Sequence, residues 1–158
     1  MNINEIIDIL KLEPLPLEGG LYRQTYIKME AGNENPLSTA IYYLLDKKSV
    51  SHMHQLPSDE MYHFYLGDSV EILELYPDGS FKTTRLGDNI DKGEKLQYVV
   101  PAGVWQGTKL VHGGSYALLG TTMTPGYTDA GYIHGKRDFL IQQYPEAKEL
   151  IAARTSQI

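Results

Sequence analysis

The sequence predicts an all-β domain, an antiparallel sandwich or small barrel with short helices at its two ends. Three observations carry this expectation. Eight strand-like runs follow one another between Leu21 and Thr122 with no helical pattern between them. Turn formers separate the runs, drawn from 15 glycines and 8 prolines. Tyrosine, a good strand former, occurs 12 times.

Taken in order, Asn4 to Leu12 reads as an amphipathic helix, because Ile6, Ile9 and Leu10 recur at helical spacing and Asn2 or Asn4 supplies a cap. Pro14 and Pro16 stop it. The expected strands are Leu21–Tyr26, Ser38–Leu45, Met61–Leu66, Val70–Tyr76, Phe81–Leu86, Leu96–Val100, Trp105–Leu110 and Tyr116–Thr122. Pro77-Asp78-Gly79 is a hairpin turn between two alternating runs. Helical spacing returns at the end, in Arg137–Tyr144 and Pro145–Ala153, with Pro145 suited to a first helical position. No linker, repeat or low-complexity tract divides the chain, which gives a single domain over 1–158: helix about 4–12, barrel about 19–125, helices about 136–154.

Composition excludes several classes of function. A chain of 158 residues buries enough surface to fold without a disulfide or structural metal. With no cysteine, thiol nucleophiles, Cys-based zinc sites and iron–sulfur clusters are ruled out. The net charge is 14 − 20 = −6 and no basic cluster occurs, which argues against a nucleic-acid partner. The apolar run Ala40–Leu45 is far short of the roughly 20 residues of a membrane span, and the acidic start lacks the features of a signal peptide. A cytoplasmic location is expected.

Chemistry concentrates in Ser51–Gly67, which holds three of the five histidines. In a strand, His52 and His54 project to one face with Met53 opposite, a natural two-point clamp that Glu60 completes. Alternation then turns Tyr62, Phe64 and Leu66 inward with Glu60, and sends Met61, His63 and Tyr65 outward. A carboxylate beside two imidazoles also suits acid–base work near neutral pH, and the same residues suit a hydrogen-bonded pocket wall. Arg23, alternating with Leu21 and Thr25, is a candidate anchor for an anionic ligand if it points into the barrel, and otherwise a partner for Glu18 or Asp59. Trp105, the single tryptophan, is a core or dimer contact or a stacking platform.

His52-x-His54, Glu60 and Gly67 resemble the first motif of the cupins, and Pro101-x-Gly103-x-x-Gln106 resembles the second, with Gln106 where a ligand histidine usually stands. More closely, Leu17–Tyr26, Ser58-Asp59-Glu60, Val100–Gly107 and Thr124–Tyr127 are similar to the DUF985 or Cupin_5 family, over about residues 5–153. The resemblance implies a double-stranded β-helix (jelly roll), usually dimeric, and a sugar-epimerase-like role. Five residues separate His54 from Glu60, one more than the general pattern, and Gln106 is a poorer donor than imidazole.

The expectation is therefore a small-molecule site lined by His52, His54, Glu60, Tyr62, Gln106 and Arg23, with Phe64 and Trp105 as further contacts. As an enzyme it would abstract a proton next to a carbonyl of a sugar derivative, with catalysis by His54, Glu60, His52 and Tyr62. The alternatives are a ligand-binding sensor without turnover, or an oxygenase or lyase using a divalent metal (Zn, Ni, Mn or Fe) on His52, His54, Glu60 and Gln106. The remaining partner is a second copy, because Met61, His63 and Tyr65 form an outward set too apolar for solvent.

Overall fold

A computed structural model describes residues 1–157. Helix α1 (Ile3–Leu10) is followed by strands β1 (Glu13–Pro14), β2 (Leu21–Lys28), β3 (Ser38–Asp46), β4 (Ser51–Gln55), β5 (Glu60–Gly67), β6 (Val70–Leu75), β7 (Phe81–Leu86), β8 (Gln97–Val100), β9 (Trp105–Leu110), β10 (Tyr116–Met123) and β11 (Ile133–His134). Helices α2 (Arg137–Gln143) and α3 (Lys148–Ala152) close the order. The named strands pair antiparallel in two sheets, β1-β2-β3-β10-β5-β8 and β11-β4-β9-β6-β7. The all-β jelly roll with terminal helices is thus what the chain forms. No helix among the described residues is long and apolar enough to cross a membrane.

The ends of the elements have local causes. Helix α1 is capped by Asn2, whose side chain accepts from the Glu5 amide while Glu5 reaches back to the Asn2 amide. It ends at Lys11 in the left-handed region (φ 53°), before the prolines expected to stop it. Pro14 instead joins β1, an unanticipated edge strand, where a missing N–H costs nothing. The Tyr76–Ser80 turn closes the β6–β7 hairpin as expected, with Asp78 accepting from the Ser80 amide.

Three apolar layers follow from strand alternation. Between the sheets, Leu45, Val70, Ile72, Leu86, Val100, Ala117 and Leu119 fill one end of the interior. On the outer face of the first sheet, α1 lays Ile6 over Leu44 and Leu118. On the outer face of the second, α2 and α3 lay Leu140 and Ile151 over Met53, Leu73 and Leu75. Each such fully buried side chain contributes about 2 kcal/mol. A bulge opposite Leu118/Leu119 shifts the β5 register, so Leu66 joins the outer layer rather than following Phe64 inward.

One buried cation ties the carboxyl-terminal segment down. Arg154 is 1% exposed. Its guanidinium donates to the carbonyls of Gly107, Leu150 and Glu71 and to the Glu71 carboxylate at 3.0 Å. Its own carbonyl accepts from the Met53 amide in β4. Replacing Arg154 by Met strands these acceptors and should lower unfolding stability by about 3 kcal/mol. Arg154→Lys should recover only part, since an ammonium lacks the guanidinium fork. Chemical denaturation measures both.

Candidate functional site

Along β3 and β10 the inward residues change character partway. Leu45 and Ala117, then Tyr43 and Leu119, lie over the apolar end, whereas Ile41 with Thr121 and Thr39 with Met123 face open space. The result is a cavity of about 740 Å³ against the inner face of the first sheet, walled on its other sides by the 15–18 and 127–132 segments. Glu60, paired with Met123 at the start of β5, and Glu18, from the segment joining β1 to β2, reach into it.

Glu18 is held by an unusual turn. Leu17, Gly19 and Gly20 all have positive φ (64°, 93° and 77°). A Cβ on Gly19 would stand 2.4 Å from the Val50 carbonyl oxygen, and one on Gly20 would stand 2.7 Å from the Tyr43 hydroxyl. The turn is pinned by Tyr43 Oη, which donates to the Gly19 carbonyl at 2.6 Å, and by the Glu18 carbonyl, which accepts from both the His52 amide and His52 Nδ1. Ser51 Oγ donates to Glu18 Oε1 at 2.8 Å.

His54 is fully buried, stacked on Tyr132 at 5.3 Å between centroids. Its Nδ1 lies 2.7 Å from the His52 carbonyl, which only accepts, so Nδ1 carries the proton and Nε2 keeps its lone pair. Nε2 has no hydrogen-bond partner and stands 4.0 Å from Glu18 Oε1. Glu60 is 7% exposed, and its Oε1 also lacks a partner.

Burial decides the protonation states. It raises the Glu18 carboxyl to about 7 against the hydrogen bond from Ser51. Burial first, and then the neighbouring Glu18 charge, raise Glu60 to about 7. Burial lowers His54, with Glu60 pulling the other way. The 4.0 Å approach of His54 to Glu18 is therefore a contact of a neutral imidazole with a titrating carboxyl rather than an ion pair.

The structure brings together only part of the expected site. His54 and Glu60 meet, and Glu18, named in the sequence only as a possible partner of Arg23, joins them. Tyr62 and Gln106 lie behind them, the Tyr62 hydroxyl donating to Gln106 Oε1 at 2.7 Å. His52 is turned to the Glu18 carbonyl and to His134, 6.1 Å away between ring centroids. A bulge in the β4–β9 pairing falls between Ser51 and His54. Phe64 packs against the apolar end. Of the alternatives open for Arg23 and Trp105, neither residue takes the ligand contact, and Trp105 takes the packing one. Arg23 shares the outer face of β2 with Leu21 and lies over the Tyr42 ring at 5.4 Å, so it anchors nothing inside. Trp105 faces outward, opposite to Gln106, and packs with Phe139 of α2. His63 is outward on β5, with Nε2 3.0 Å from Thr122 Oγ1.

The four expected metal donors do not converge as a ligand set. Gln106 Oε1 is committed to Tyr62, and His52 Nδ1 to a carbonyl. No three His, Asp or Glu side chains among the described residues form a metal-holding group.

Comparison with known proteins agrees with this fold. Residues 4–133 match the family model described as Cupin superfamily (DUF985). A Shewanella oneidensis protein of known structure is 32% identical, with a TM-score of 0.92 over 99% of this chain and 98% of its own. A hypothetical protein from Leishmania major is 26% identical, with a TM-score of 0.90 over 99% of this chain and 100% of its own. Bacillus subtilis oxalate decarboxylase shares the fold alone, at 12% identity and a TM-score of 0.58 over 90% of this chain and 37% of its own. An uncharacterized Saccharomyces cerevisiae protein is 29% identical over 93 residues, 57% of this chain; the match spans 46% of that relative's length.

The raised carboxyls make stability depend on pH in a defined direction. An acid whose pKa is higher folded than unfolded holds a proton that the unfolded chain has already released. Stability therefore falls as pH rises from about 4.5 to about 7, and the loss is complete above that. His54 acts oppositely, costing stability as pH falls through 6.5. In thermal melts, Glu60→Gln should flatten the decline between pH 5 and 7 relative to the parent, and an unchanged slope would contradict the burial of Glu60 as an acid.

Proposed function

Because the chain belongs to the DUF985 family of the cupin superfamily, we propose that its cavity binds a small polyhydroxylated carbonyl compound and moves a proton on the carbon beside the carbonyl. This would be an isomerase- or epimerase-like reaction. The observation that supports it is the pair of carboxyls lining one cavity, Glu60 buried and Glu18 half-buried, both raised to about 7.

Such a pair divides acid and base work. At neutral pH one proton is shared between two sites that resist joint ionisation. In this mechanism ionised Glu60 takes the proton from carbon as the C–H bond breaks. Protonated Glu18 donates to the carbonyl oxygen as the enol forms. Return of the proton from Glu60 to the adjacent carbon, while Glu18 takes back the proton of the hydroxyl on the first carbon, regenerates both groups and gives the isomer. Return to the same carbon restores the substrate with an exchanged hydrogen. His54 is a positioning residue here, because its Nε2 is sealed behind Glu18 rather than opening on the cavity. Tyr62 and Gln106 brace the wall. No step is routed through a metal, since the donor set does not converge.

Ligand capture without turnover is the second reading, and the sealing of His54 Nε2 is what favours it. The two separate in deuterium oxide. Proton transfer requires the wild-type protein to place deuterium on the α-carbon of members of an aldose and ketose panel, read by NMR. Glu60→Gln should lower that rate by at least about 100-fold. Exchange that survives at the parental rate in both Glu60→Gln and Glu18→Gln would overturn the assignment. Binding with no exchange would establish the second reading.

The partner we propose is a second copy of the chain. Val99 on edge strand β8 pairs with Met61 on β5, and with Tyr65 on the same outer face it leaves large apolar positions 40% and 50% exposed. Sedimentation equilibrium at micromolar concentration should give twice the chain mass, and a monomer would refute this.

A further inference from the structure

The charge on the cavity wall narrows the class of ligand. Four carboxyl groups line it, Glu18, Glu34, Glu60 and Asp129, with no Lys or Arg among the described lining residues. The one cation expected inside, Arg23, lies on the outer face of the sheet. An anionic ligand would therefore meet repulsion with no counter-charge. The wall also carries Tyr22, Tyr43, Tyr127 and Tyr132. Tyrosine rings attract ammonium groups through their negative faces, which is how aromatic-walled sites recognise organic cations.

Two of the acids are placed differently from the others. Glu60 is buried and Glu18 half-buried, and Glu60 Oε1 is a buried acceptor with no partner in the protein. Glu34 and Asp129 are exposed and line the side open to solvent. Asp129 stands in the short 3-10 turn between Tyr127 and Tyr132, so a carboxylate and two aromatic rings come from one segment.

We propose that the ligand of this cavity is an amine-bearing polyol, such as an amino sugar, whose ammonium group lies toward Asp129, Glu34 and the Tyr127–Tyr132 segment while its hydroxyl and carbonyl groups point to Glu18 and Glu60. This rests on the reading of the cavity as a polyol-binding site. It adds a preference for positive charge that the family match and the fold do not carry. A cation held at the open side leaves Glu18 and Glu60 free to share a proton.

The test compares four compounds of similar size on the wild-type protein: glucosamine, N-acetylglucosamine, glucose and gluconate, by ligand-observed NMR titration near pH 7. Glucosamine should bind at least about 10-fold more tightly than glucose or N-acetylglucosamine, with gluconate weakest. In the Asp129→Asn/Glu34→Gln double variant, circular dichroism confirming its fold, the glucosamine-to-glucose ratio should fall to within about 2-fold of one. Equal affinity for glucosamine and glucose, or tighter binding of gluconate, would overturn the charge preference and leave the polyol site standing. An amine preference without deuterium exchange would support the preference and count against proton transfer. No binding of any of the four would overturn both.

Discussion

The structure depends on an interior that is packed at one end and hollow at the other. Two facing sheets present more inward positions than apolar side chains fill. Leu45, Ile72, Leu86 and Leu119 close one end, and past Tyr43 the same two strands offer Ile41, Thr39, Thr121 and Met123 to empty space. A carboxyl group placed at the boundary loses water without gaining a cation. That position is what makes Glu60 an acid that titrates near neutrality, and the Leu17–Gly20 turn brings Glu18 to the same boundary.

A second consequence is the row of polar residues across the second sheet. His54, Gln106 and Glu74 are cross-strand neighbours on β4, β9 and β6. Glu74 is fully buried, and its two oxygens accept from Tyr76 at 2.7 Å and Tyr98 at 2.5 Å. Gln106 accepts from Tyr62. Buried polar groups of this kind fix geometry when satisfied and are costly when not. Here the inner members are satisfied, and the free acceptors, His54 Nε2 and Glu60 Oε1, belong to the residues beside the cavity, with Thr108 Oγ1 the one other unpartnered side-chain atom of this kind among the described residues.

Much of the fold was legible because period-two alternation and turn chemistry are local signals. The eight expected strands, the Pro77-Asp78-Gly79 hairpin and both carboxyl-terminal helices depend on neighbours within a few residues. Strands β1 and β11, two residues each, carry no periodicity to read. The site was legible in part. His54 and Glu60 stand in one segment with the right chemistry, but whether Arg23 faces in or out depends on the phase of β2 against β3. That phase is set where Leu21 meets α1, far away in sequence. Gln106 and Trp105 alternate correctly, yet only the helices packed on Trp105 reveal which of the two is outside. Glu18 was hidden because its role comes from a turn whose three positive-φ residues aim it at a strand 42 residues later (60 − 18). The clue available was Gly19-Gly20 directly after an acid.

The paired carboxyls also make the cavity a proton reservoir coupled to its contents. Near pH 7 Glu18 and Glu60 are each close to half-occupied by hydrogen ions. Anything that enters and alters the local field must shift that occupancy and exchange a fraction of a proton with bulk solvent. The heat of filling the cavity then includes the ionisation heat of whichever buffer supplies or accepts that fraction. Occupancy of this barrel is in that sense a chemical reading of its surroundings as well as of its ligand.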